Sequence, residues 1–212
     1  MNKSESISRK VAKGLLEIGA VGFSPDKPIT FKSGIVSPVY VDNRLVPSYP
    51  ELWHTVIKGF IALIDEQKLE FDMVAGIETA GILHSAALSY ALNKPSIFIR
   101  KEVKDHGKKK RVEGNVAEKK VLVIEDHITT AGSSLNGIVA ARKEGATITD
   151  CLAITSYGFP EAAQAFEDEG IHLYTLTTFM VILEQAKTMK KISKDQKGII
   201  ETWLQDPWSW GK

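Results

Sequence analysis

The sequence contains one cysteine, no long apolar run and almost no net charge, and each of these absences excludes a class of protein. A single cysteine, Cys151, rules out a disulfide within the chain and is typical of a reducing compartment, so we expect a cytoplasmic protein. No stretch approaches the roughly 20 apolar residues that span a bilayer. Lysine and arginine total 27 and aspartate and glutamate 26, so the net charge of +1 predicts neither nucleic acid nor membrane as a partner.

Two widespread nucleotide-binding motifs are also missing. Gly-x-Gly-x-x-Gly occurs nowhere in the chain, which argues against a dinucleotide-binding domain. Gly76 and Gly81 have the spacing of the two glycines of a P-loop, but Ile82 stands where that motif requires lysine. What remains is a chain of 212 residues, 43% of them hydrophobic, which predicts one domain over residues 1–212 with a sizeable core.

Short apolar runs alternate with stretches of helical periodicity along most of the chain. Helices are predicted over residues 7–18, 50–67, 80–92, 135–144 and 160–169, with further helices to about residue 204. Strands are predicted over 73–76, 96–99, 121–124, 148–155 and 171–176, and irregular β structure over 29–42. This alternation is typical of an α/β protein with a parallel sheet covered by helices on both faces. The segments 76–81, 100–106 and 125–133 each follow a strand, so we expect them to meet at one edge.

The most informative of these segments follows the apolar run 121–124. Two carboxylates, Glu125 and Asp126, are expected at the end of that strand, and small and hydroxyl residues from Thr129 to Ser134 lead into the next helix. Such a loop directs N–H groups and hydroxyls at one point near the positive end of a helix dipole, which favours phosphate. Carboxylates repel phosphate but suit sugar hydroxyls or a developing cation. The pattern predicts a ribose 5-phosphate site; a surface turn with helix caps explains the hydroxyls but not the adjacent acids.

A long polar loop, residues 100–114, is the second informative feature. It carries seven lysine or arginine side chains and three carboxylates, so it cannot pack as core. On its own the loop fits a solvated basic segment, a nucleic-acid patch without interleaved aromatics, or a lid over an active site. Beside a phosphate site the lid is favoured, because a pyrophosphate leaving group requires cations.

Residues 125–133, Glu-Asp-His-Ile-Thr-Thr-Ala-Gly-Ser, resemble the phosphoribosyl-pyrophosphate (PRPP) signature of type I phosphoribosyltransferases. Other segments narrow the resemblance to the orotate phosphoribosyltransferase family. Residues 31–40 resemble that family's N-terminal substrate segment, residues 76–82 its pyrophosphate loop, and residues 100–107 (Arg-Lys-x-x-Lys-Asp-His-Gly) its catalytic loop. The resemblance implies the type I phosphoribosyltransferase fold: a central, mostly parallel sheet flanked by helices on both faces, with a small N-terminal hood formed largely by residues 1–45.

The resemblance also implies a reaction and a set of site residues. Orotate and PRPP, with Mg²⁺ held mainly by PRPP and water, would give orotidine 5′-monophosphate and pyrophosphate in pyrimidine (UMP) biosynthesis. The catalytic residues would be Lys104, His106 and Asp126, and orotate would contact Lys32 and Thr129. PRPP would be bound by Arg100, Lys101, Lys104, His106, Glu125, Asp126, His127, Ile128, Thr129, Thr130, Ala131, Gly132 and Ser133.

In this family the catalytic loop reaches into the neighbouring subunit's site, so the resemblance implies a homodimer with loop 100–114 donated across the interface. Two alternatives stay open. One is a phosphoribosyltransferase for another base, a purine or uracil, and the other is a PRPP-sensing regulator on the same fold. A regulator would not need the lid around Lys104 and His106, and no helix-turn-helix extension is evident.

The chain departs from one branch of the family at two places. Ala80 replaces a lysine of the pyrophosphate loop, and the segment 154–159 lacks an arginine that helps to hold orotate. The partner of the orotate carboxylate therefore stays open among Lys32, the Ser33–Gly34 backbone and Arg44. Three further residues are expected to cap the core or to pack on a neighbouring subunit: Trp203, Trp208 and Trp210.

Overall fold

The structure, a computed structural model, describes residues 3–102 and 110–211. The strands in these ranges are Val21–Phe23 (β1), Ile29–Thr30 (β2), Val36–Ser37 (β3), Val39–Val41 (β4), Met73–Ile77 (β5), Ser96–Ile99 (β6), Val112–Glu113 (β7), Val121–Ile128 (β8), Asp150–Ser156 (β9) and His172–Thr178 (β10). The α-helices are Lys3–Glu17 (α1), Pro50–Gln67 (α2), Ala80–Leu92 (α3), Gly132–Lys143 (α4), Pro160–Asp168 (α5), Phe179–Thr188 (α6) and Lys194–Gln205 (α7). A 3-10 helix covers Asn43–Ser48.

Six strands form one large sheet in the order β10-β9-β8-β5-β6-β7. Every neighbouring pair is parallel except β6 and β7, where Ile99 lies opposite Val112 in an antiparallel pair. Near the centre, Val123 of β8 pairs with Cys151 of β9. The prediction of a mostly parallel sheet is confirmed, and the loops after β5, β6 and β8 therefore leave the sheet at the same edge.

Alternate side chains of β8 belong to two separate apolar clusters. Leu122 and Ile124 lie in a cluster with residues of α1, α2, α6 and α7, whereas Val121 and Val123 lie in one with residues of α4 and α5. Successive side chains of a strand point to opposite faces of the sheet, so a strand that is buried on both faces contributes alternately to two clusters. The predicted helices on both faces are therefore confirmed. Cys151, in the second cluster, is 0% exposed, as expected of a structural thiol.

The N-terminal region contributes both to the body of the protein and to the loop edge of the sheet. Helix α1 packs against α2, α6 and β10. The segment that follows forms two small antiparallel sheets, one of β1 with β4 and one of β2 with β3. We call residues 29–37, which comprise β2, β3 and the turn between them, the substrate hairpin.

Several helix bounds agree with the prediction because local signals set them. Helix α2 begins at Pro50, where the missing N–H of proline costs no helical hydrogen bond, and ends where Lys68 takes a left-handed conformation with φ 52°. Helix α3 ends in the same way at Asn93, also with φ 52°. None of the helices in the described ranges is long and apolar enough to cross a membrane.

Three predictions about the loop edge are wrong in detail. Strand β8 runs through the acidic pair to Ile128, because it continues to pair with β9 after its pairing with β5 has ended at Ile124. Helix α4 begins at Gly132, three residues earlier than its apolar pattern indicates. The polar loop 100–114 contains the short strand β7, which pairs with β6 at the edge of the sheet.

Candidate active site

A cleft of about 540 Å³ opens at the carboxyl edge of the large sheet, between the substrate hairpin and the loops that follow β6 and β8. It is lined by Phe31, Lys32, Ser33, Lys101, Glu102, Glu125, Asp126, His127, Thr129, Thr130, Ala131, Gly132, Ser133, Ser134 and Asn136. Segments that are far apart in the chain therefore meet where the alternating pattern of strands and helices predicts a ligand site.

The two carboxylates of the cleft have different surroundings. Glu125 is 6% exposed, and its Oε1 accepts a hydrogen bond from Ser134 Oγ at 2.7 Å while its Oε2 accepts one from the Asp126 backbone N–H at 3.2 Å. Burial, reinforced by the Asp126 charge, raises the pKa of Glu125. Burial also raises the pKa of Asp126, which is half-buried, and the Lys101 charge opposes both shifts. Glu125 is therefore part of a buried strand rather than a strand-end residue, which corrects the prediction.

The loop after β8 presents the N-terminus of α4 to the cleft. Ala131, the residue before the helix, adopts a left-handed backbone with φ 67° that turns the chain from β8 into α4 at Gly132. The first amides of a helix have no acceptor within the helix, and they carry the positive end of its dipole. Thr129 and Thr130, both half-buried, add hydroxyls to the same wall. This arrangement is suited to a phosphate group.

A buried polar network lies behind the acidic pair. Asn43, which is 0% exposed, donates from Nδ2 to the Asp126 carbonyl oxygen at 2.6 Å and to Thr155 Oγ1 at 2.7 Å. His127 Nδ1 lies 2.7 Å from the same Thr155 hydroxyl. Burial lowers the pKa of His127 to about 3, so its imidazole is neutral. The network ties the 3-10 helix to β8 and β9, and it holds the backbone that carries the carboxylates.

Two of the three candidates for an orotate carboxylate partner lie at the cleft. Lys32 and Ser33 line it from the tip of the substrate hairpin. Arg44 is not among the lining residues. Its Nε lies 2.6 Å from Asp42 Oδ1, and its Nη2 donates to the Tyr40 hydroxyl at 3.0 Å. The Arg44 side chain is 60% exposed, so the structure places it in a surface ion pair.

The predicted pyrophosphate loop, residues 76–81, packs tightly against its neighbours. A Cβ on Gly81 would lie 2.5 Å from the Ile124 carbonyl oxygen, and one on Gly76 would lie 2.5 Å from the Gly81 carbonyl oxygen. Both positions therefore admit only glycine. Glu78 of this loop accepts a hydrogen bond from the Lys101 backbone N–H at 3.1 Å. The loop after β5 is thus in direct contact with strand β8 and with the loop after β6.

The described ends of loop 100–114 are joined to each other and to α4. Arg100 Nε lies 2.8 Å from Glu113 Oε1, and its Nη1 lies 3.8 Å from Glu78 Oε1. Arg111 donates from Nε to the Arg100 carbonyl oxygen at 2.8 Å and from Nη1 to the Asn136 carbonyl oxygen at 3.2 Å. Asn136 itself lines the cleft. The two ends of the loop are therefore anchored on the wall of the candidate site.

The predicted site residues fall into three groups. Arg100 and Ile128 do not line the cleft, since Arg100 is held in ion pairs and Ile128 is 1% exposed within β8. Lys104 and His106 lie outside the described residues. The cleft brings the others together: Lys32, Lys101, Glu125, Asp126, His127, Thr129, Thr130, Ala131, Gly132 and Ser133.

Sequence reasoning missed three residues that support the acidic pair. Asn43 and Thr155 stand 83 and 29 positions away from Asp126, and no local pattern connects them to it. Ser134 could have been found, because a hydroxyl in the first turn of a helix after a carboxylate pair is placed to reach back to one of the carboxylates. The sequence instead indicated that all the hydroxyls of this loop serve the phosphate.

The chemistry of the cleft fits a magnesium ion carried by a phosphorylated substrate. Within residues 3–102 and 110–211, no group of three or more His, Cys, Asp or Glu side chains could hold a metal ion. Mg²⁺ usually keeps several water ligands and binds through one or two carboxylates together with substrate phosphates. Substrate phosphate oxygens and water would be the main ligands of such an ion, and neither Glu125 nor Asp126, the carboxylates at the cleft, is required to bind it.

Comparison with solved structures defines the class of fold. The chain superposes on UMP synthase of Leishmania donovani with a TM-score of 0.79 at 23% identity, covering 93% of this chain but 42% of that longer one. Orotate phosphoribosyltransferase of Aeropyrum pernix gives a TM-score of 0.75 at 28% identity, covering 84% of this chain and 98% of that one. The fold is that of the type I phosphoribosyltransferases.

Sequence similarity then identifies the family. Orotate phosphoribosyltransferase of Enterococcus faecalis is 40% identical over 207 residues, which cover 97% of this chain and 99% of that protein. No protein-family model matches the chain. With this identity over nearly the full length of both proteins, the chain belongs to the orotate phosphoribosyltransferase family and is a transferase.

Proposed function

We propose that this protein transfers the phosphoribosyl group of PRPP to orotate, giving orotidine 5′-monophosphate and pyrophosphate in pyrimidine (UMP) biosynthesis. The observation that carries the proposal is the cleft in which Glu125 and Asp126 stand beside the N-terminus of α4. The amides and hydroxyls of residues 129–133 bind the 5-phosphate, and the carboxylates face the ribose. Membership of the family selects orotate among the bases.

The acidic pair acts on the sugar. Displacement at the anomeric carbon passes through an oxocarbenium-like state, in which positive charge grows on the ribose. A carboxylate next to this charge interacts more strongly with the transition state than with bound PRPP, and only such a difference accelerates the step. Asp126 is the more exposed of the two carboxylates, and it stabilises the positive charge on the ribose. Glu125, held by Ser134, accepts hydrogen bonds from the ribose hydroxyls.

Orotate lies between the substrate hairpin and the loop after β8. Thr129 borders the base from one side, and Lys32 reaches it from the hairpin. The Lys32 ammonium, supported by the Ser33–Gly34 backbone, pairs with the orotate carboxylate, because Arg44 is engaged with Asp42 outside the cleft.

The pyrophosphate leaves toward loop 100–114. Lys101 lines the cleft beside the acidic pair, and Lys104 and His106 complete the cationic group in this proposal. Arg100 anchors the loop through Glu113 and contributes positive charge from outside the cleft lining. Mg²⁺ would be held mainly by PRPP oxygens and water, and it would supply further positive charge to the leaving group.

The protein acts as a cytoplasmic homodimer in this proposal, with loop 100–114 donated across the interface. An apolar face of α3 supports the dimer. Leu83 is 52% exposed and Tyr90, two helical turns later, is 91% exposed. The neighbouring 3-10 helix adds Leu45 and the adjoining Tyr49, which are 37% and 44% exposed. Exposed apolar side chains gathered in this way mark a contact surface, and a second copy of the chain covers it here.

Turnover of orotate tests the proposal. The wild-type protein with PRPP and Mg²⁺ is expected to remove orotate absorbance and to release pyrophosphate in equal amounts. A PRPP-sensing regulator would bind PRPP without releasing pyrophosphate, and that result would reject the proposal that the protein is an enzyme.

Lys104→Ala is expected to lower kcat by orders of magnitude with little change in the KM for PRPP, because Lys104 neutralises charge that develops in the transition state. Lys58→Ala, on the exposed face of α2, is the matched control.

A further inference from the structure

The three tryptophans near the C-terminus occupy different environments. Trp203 of α7 is 0% exposed, whereas Trp208 is 45% exposed. Trp203 Nε1 donates a hydrogen bond of 2.9 Å to the Val36 carbonyl oxygen, 167 positions earlier in the chain. Val36 opens β3, so the last helix of the described chain is tied directly to the substrate hairpin.

The substrate hairpin has little to stabilise it by itself. Its strands β2 and β3 have two residues each, and both residues of β2 are exposed. Within the turn, Phe31 N donates to the Ile35 carbonyl oxygen at 2.8 Å and Gly34 N to the Phe31 carbonyl oxygen at 2.9 Å. An isolated two-stranded hairpin is marginally stable in water, so contacts from outside must hold this one in place.

Ile35 of the hairpin is buried in the core, and aromatic rings supply further contacts. Phe31, beside Lys32 at the hairpin tip, stacks on Tyr157 with ring centroids 5.6 Å apart and lies edge-on to Trp203 at 6.4 Å. Tyr157 in turn packs edge-on to Trp203 at 5.2 Å and to His127 at 4.5 Å. The hairpin thus packs on a cluster of aromatic rings, and Trp203 of this cluster also donates a hydrogen bond to the hairpin backbone.

We propose that Trp203 is a positioning residue for the base substrate: its indole N–H and ring fix the substrate hairpin so that Lys32 and Ser33 are held at the orotate side of the cleft. The proposal rests on the proposed function for the identity of the base. The phosphate loop, residues 129–133, connects β8 to α4 and includes the first two residues of α4, so its position is set by those two elements rather than by the hairpin. Loss of the Trp203 hydrogen bond therefore acts on orotate and not on PRPP.

Trp203→Phe tests the proposal, because it keeps an aromatic ring and removes the N–H. The KM for orotate is expected to rise about three- to tenfold, which is the effect of one hydrogen bond, while kcat and the KM for PRPP stay within about twofold. Trp208→Phe is the matched control, since Trp208 Nε1 donates an equally long bond of 2.9 Å to Glu161 Oε1 away from the cleft. It is expected to change none of the three constants.

Amide hydrogen exchange of residues 29–37 gives a second readout that needs no substrate. Trp203→Phe is expected to speed exchange in this hairpin, and Trp208→Phe is expected to leave it unchanged. If Trp203→Phe lowers the melting temperature but changes neither the KM for orotate nor hairpin exchange, Trp203 is only a core residue and the proposal is overturned. An equal rise of both KM values overturns it as well. A wild type that does not turn over orotate rejects the proposed function instead, while faster hairpin exchange still supports the anchoring.

Discussion

The Ser134 hydroxyl donates to Glu125 Oε1 at 2.7 Å, so the first turn of α4 holds a carboxylate of the strand that precedes it. This bond joins the phosphate side of the cleft to its acidic side. It also partly compensates a buried carboxyl group that loses its water on folding. Glu125 is consequently one of the residues through which pH acts on stability, and it does so at the site itself.

Stability is expected to fall as pH rises through the neutral range. Burial raises the pKa of Glu125 from its ordinary 4.5 to about 8. Because the folded-state pKa is the higher one, the stabilising contribution is complete below about pH 4.5 and is lost as pH approaches 8. Urea denaturation between about pH 6.5 and 8, above the range in which the neutral His127 and His84 gain stability with rising pH, should show this fall in the wild type and a much flatter curve in Glu125→Gln. Glu66→Gln, on the exposed end of α2, should retain the wild-type slope, and a wild-type slope in Glu125→Gln would contradict the assignment.

Asp126→Asn is expected to separate catalysis from stability. The amide keeps the shape of the side chain but removes the charge beside the ribose, so kcat/KM should fall by about 10²- to 10³-fold. The melting temperature should change little, because burial already disfavours the ionised form of Asp126. Steady-state kinetics and thermal unfolding of the same preparation measure both effects. A variant that unfolds early but keeps its activity per folded molecule would make Asp126 a structural residue.

Leu83→Arg is expected to produce monomers. It places a charge in the exposed apolar face of α3, and a charge buried in a dimer interface without a partner is costly. Sedimentation should show the wild type as a dimer and the variant at half that mass, with low activity. Met180→Arg, at a residue of α6 that is 44% exposed, is the control and should stay dimeric. If both variants remain dimeric, or if both become monomeric, this interface is refuted.

Shared sites predict complementation between two inactive chains. Lys104→Ala lacks the donated loop lysine, and Thr130→Asp puts a carboxylate where the phosphate binds. Each should be nearly inactive alone, whereas subunit exchange in a mixture should restore activity in about one site per mixed dimer. If differently tagged chains are proved to exchange and no activity returns, each loop serves its own subunit.

The fold could be predicted from the sequence wherever local chemistry sets an element. Helix α2 lies where Pro50 starts it and the residue after Gln67 turns left-handed, and β6 has the bounds of its apolar run, Ser96–Ile99. Strand β7 could not be found, because Val112 and Glu113 become a strand only by pairing with β6 beyond the basic loop.

The contacts that hold the acidic pair of the candidate site could not be predicted from the sequence for the same reason. The sequence predicts that β8 ends at the acidic pair, since carboxylates seldom continue a buried strand. The strand continues here because its backbone pairs with β9 and Ser134 donates to the Glu125 carboxylate. Asn43 donates to the Asp126 carbonyl oxygen from 83 positions away. These contacts exist only after the chain has folded. The residues of the phosphate loop, in contrast, are contiguous and can be recognised in the sequence.

Competition between bases tests the proposed activity most directly. Equal concentrations of orotate, uracil and hypoxanthine are incubated with limiting PRPP, Mg²⁺ and the wild-type protein, and the nucleoside monophosphates are separated and quantified. The structure and the family predict orotidine 5′-monophosphate as the dominant product, formed in equal amount with pyrophosphate. Formation of uridine or inosine monophosphate in its place, or no nucleotide at all despite binding of PRPP, would contradict the assignment of orotate to this cleft.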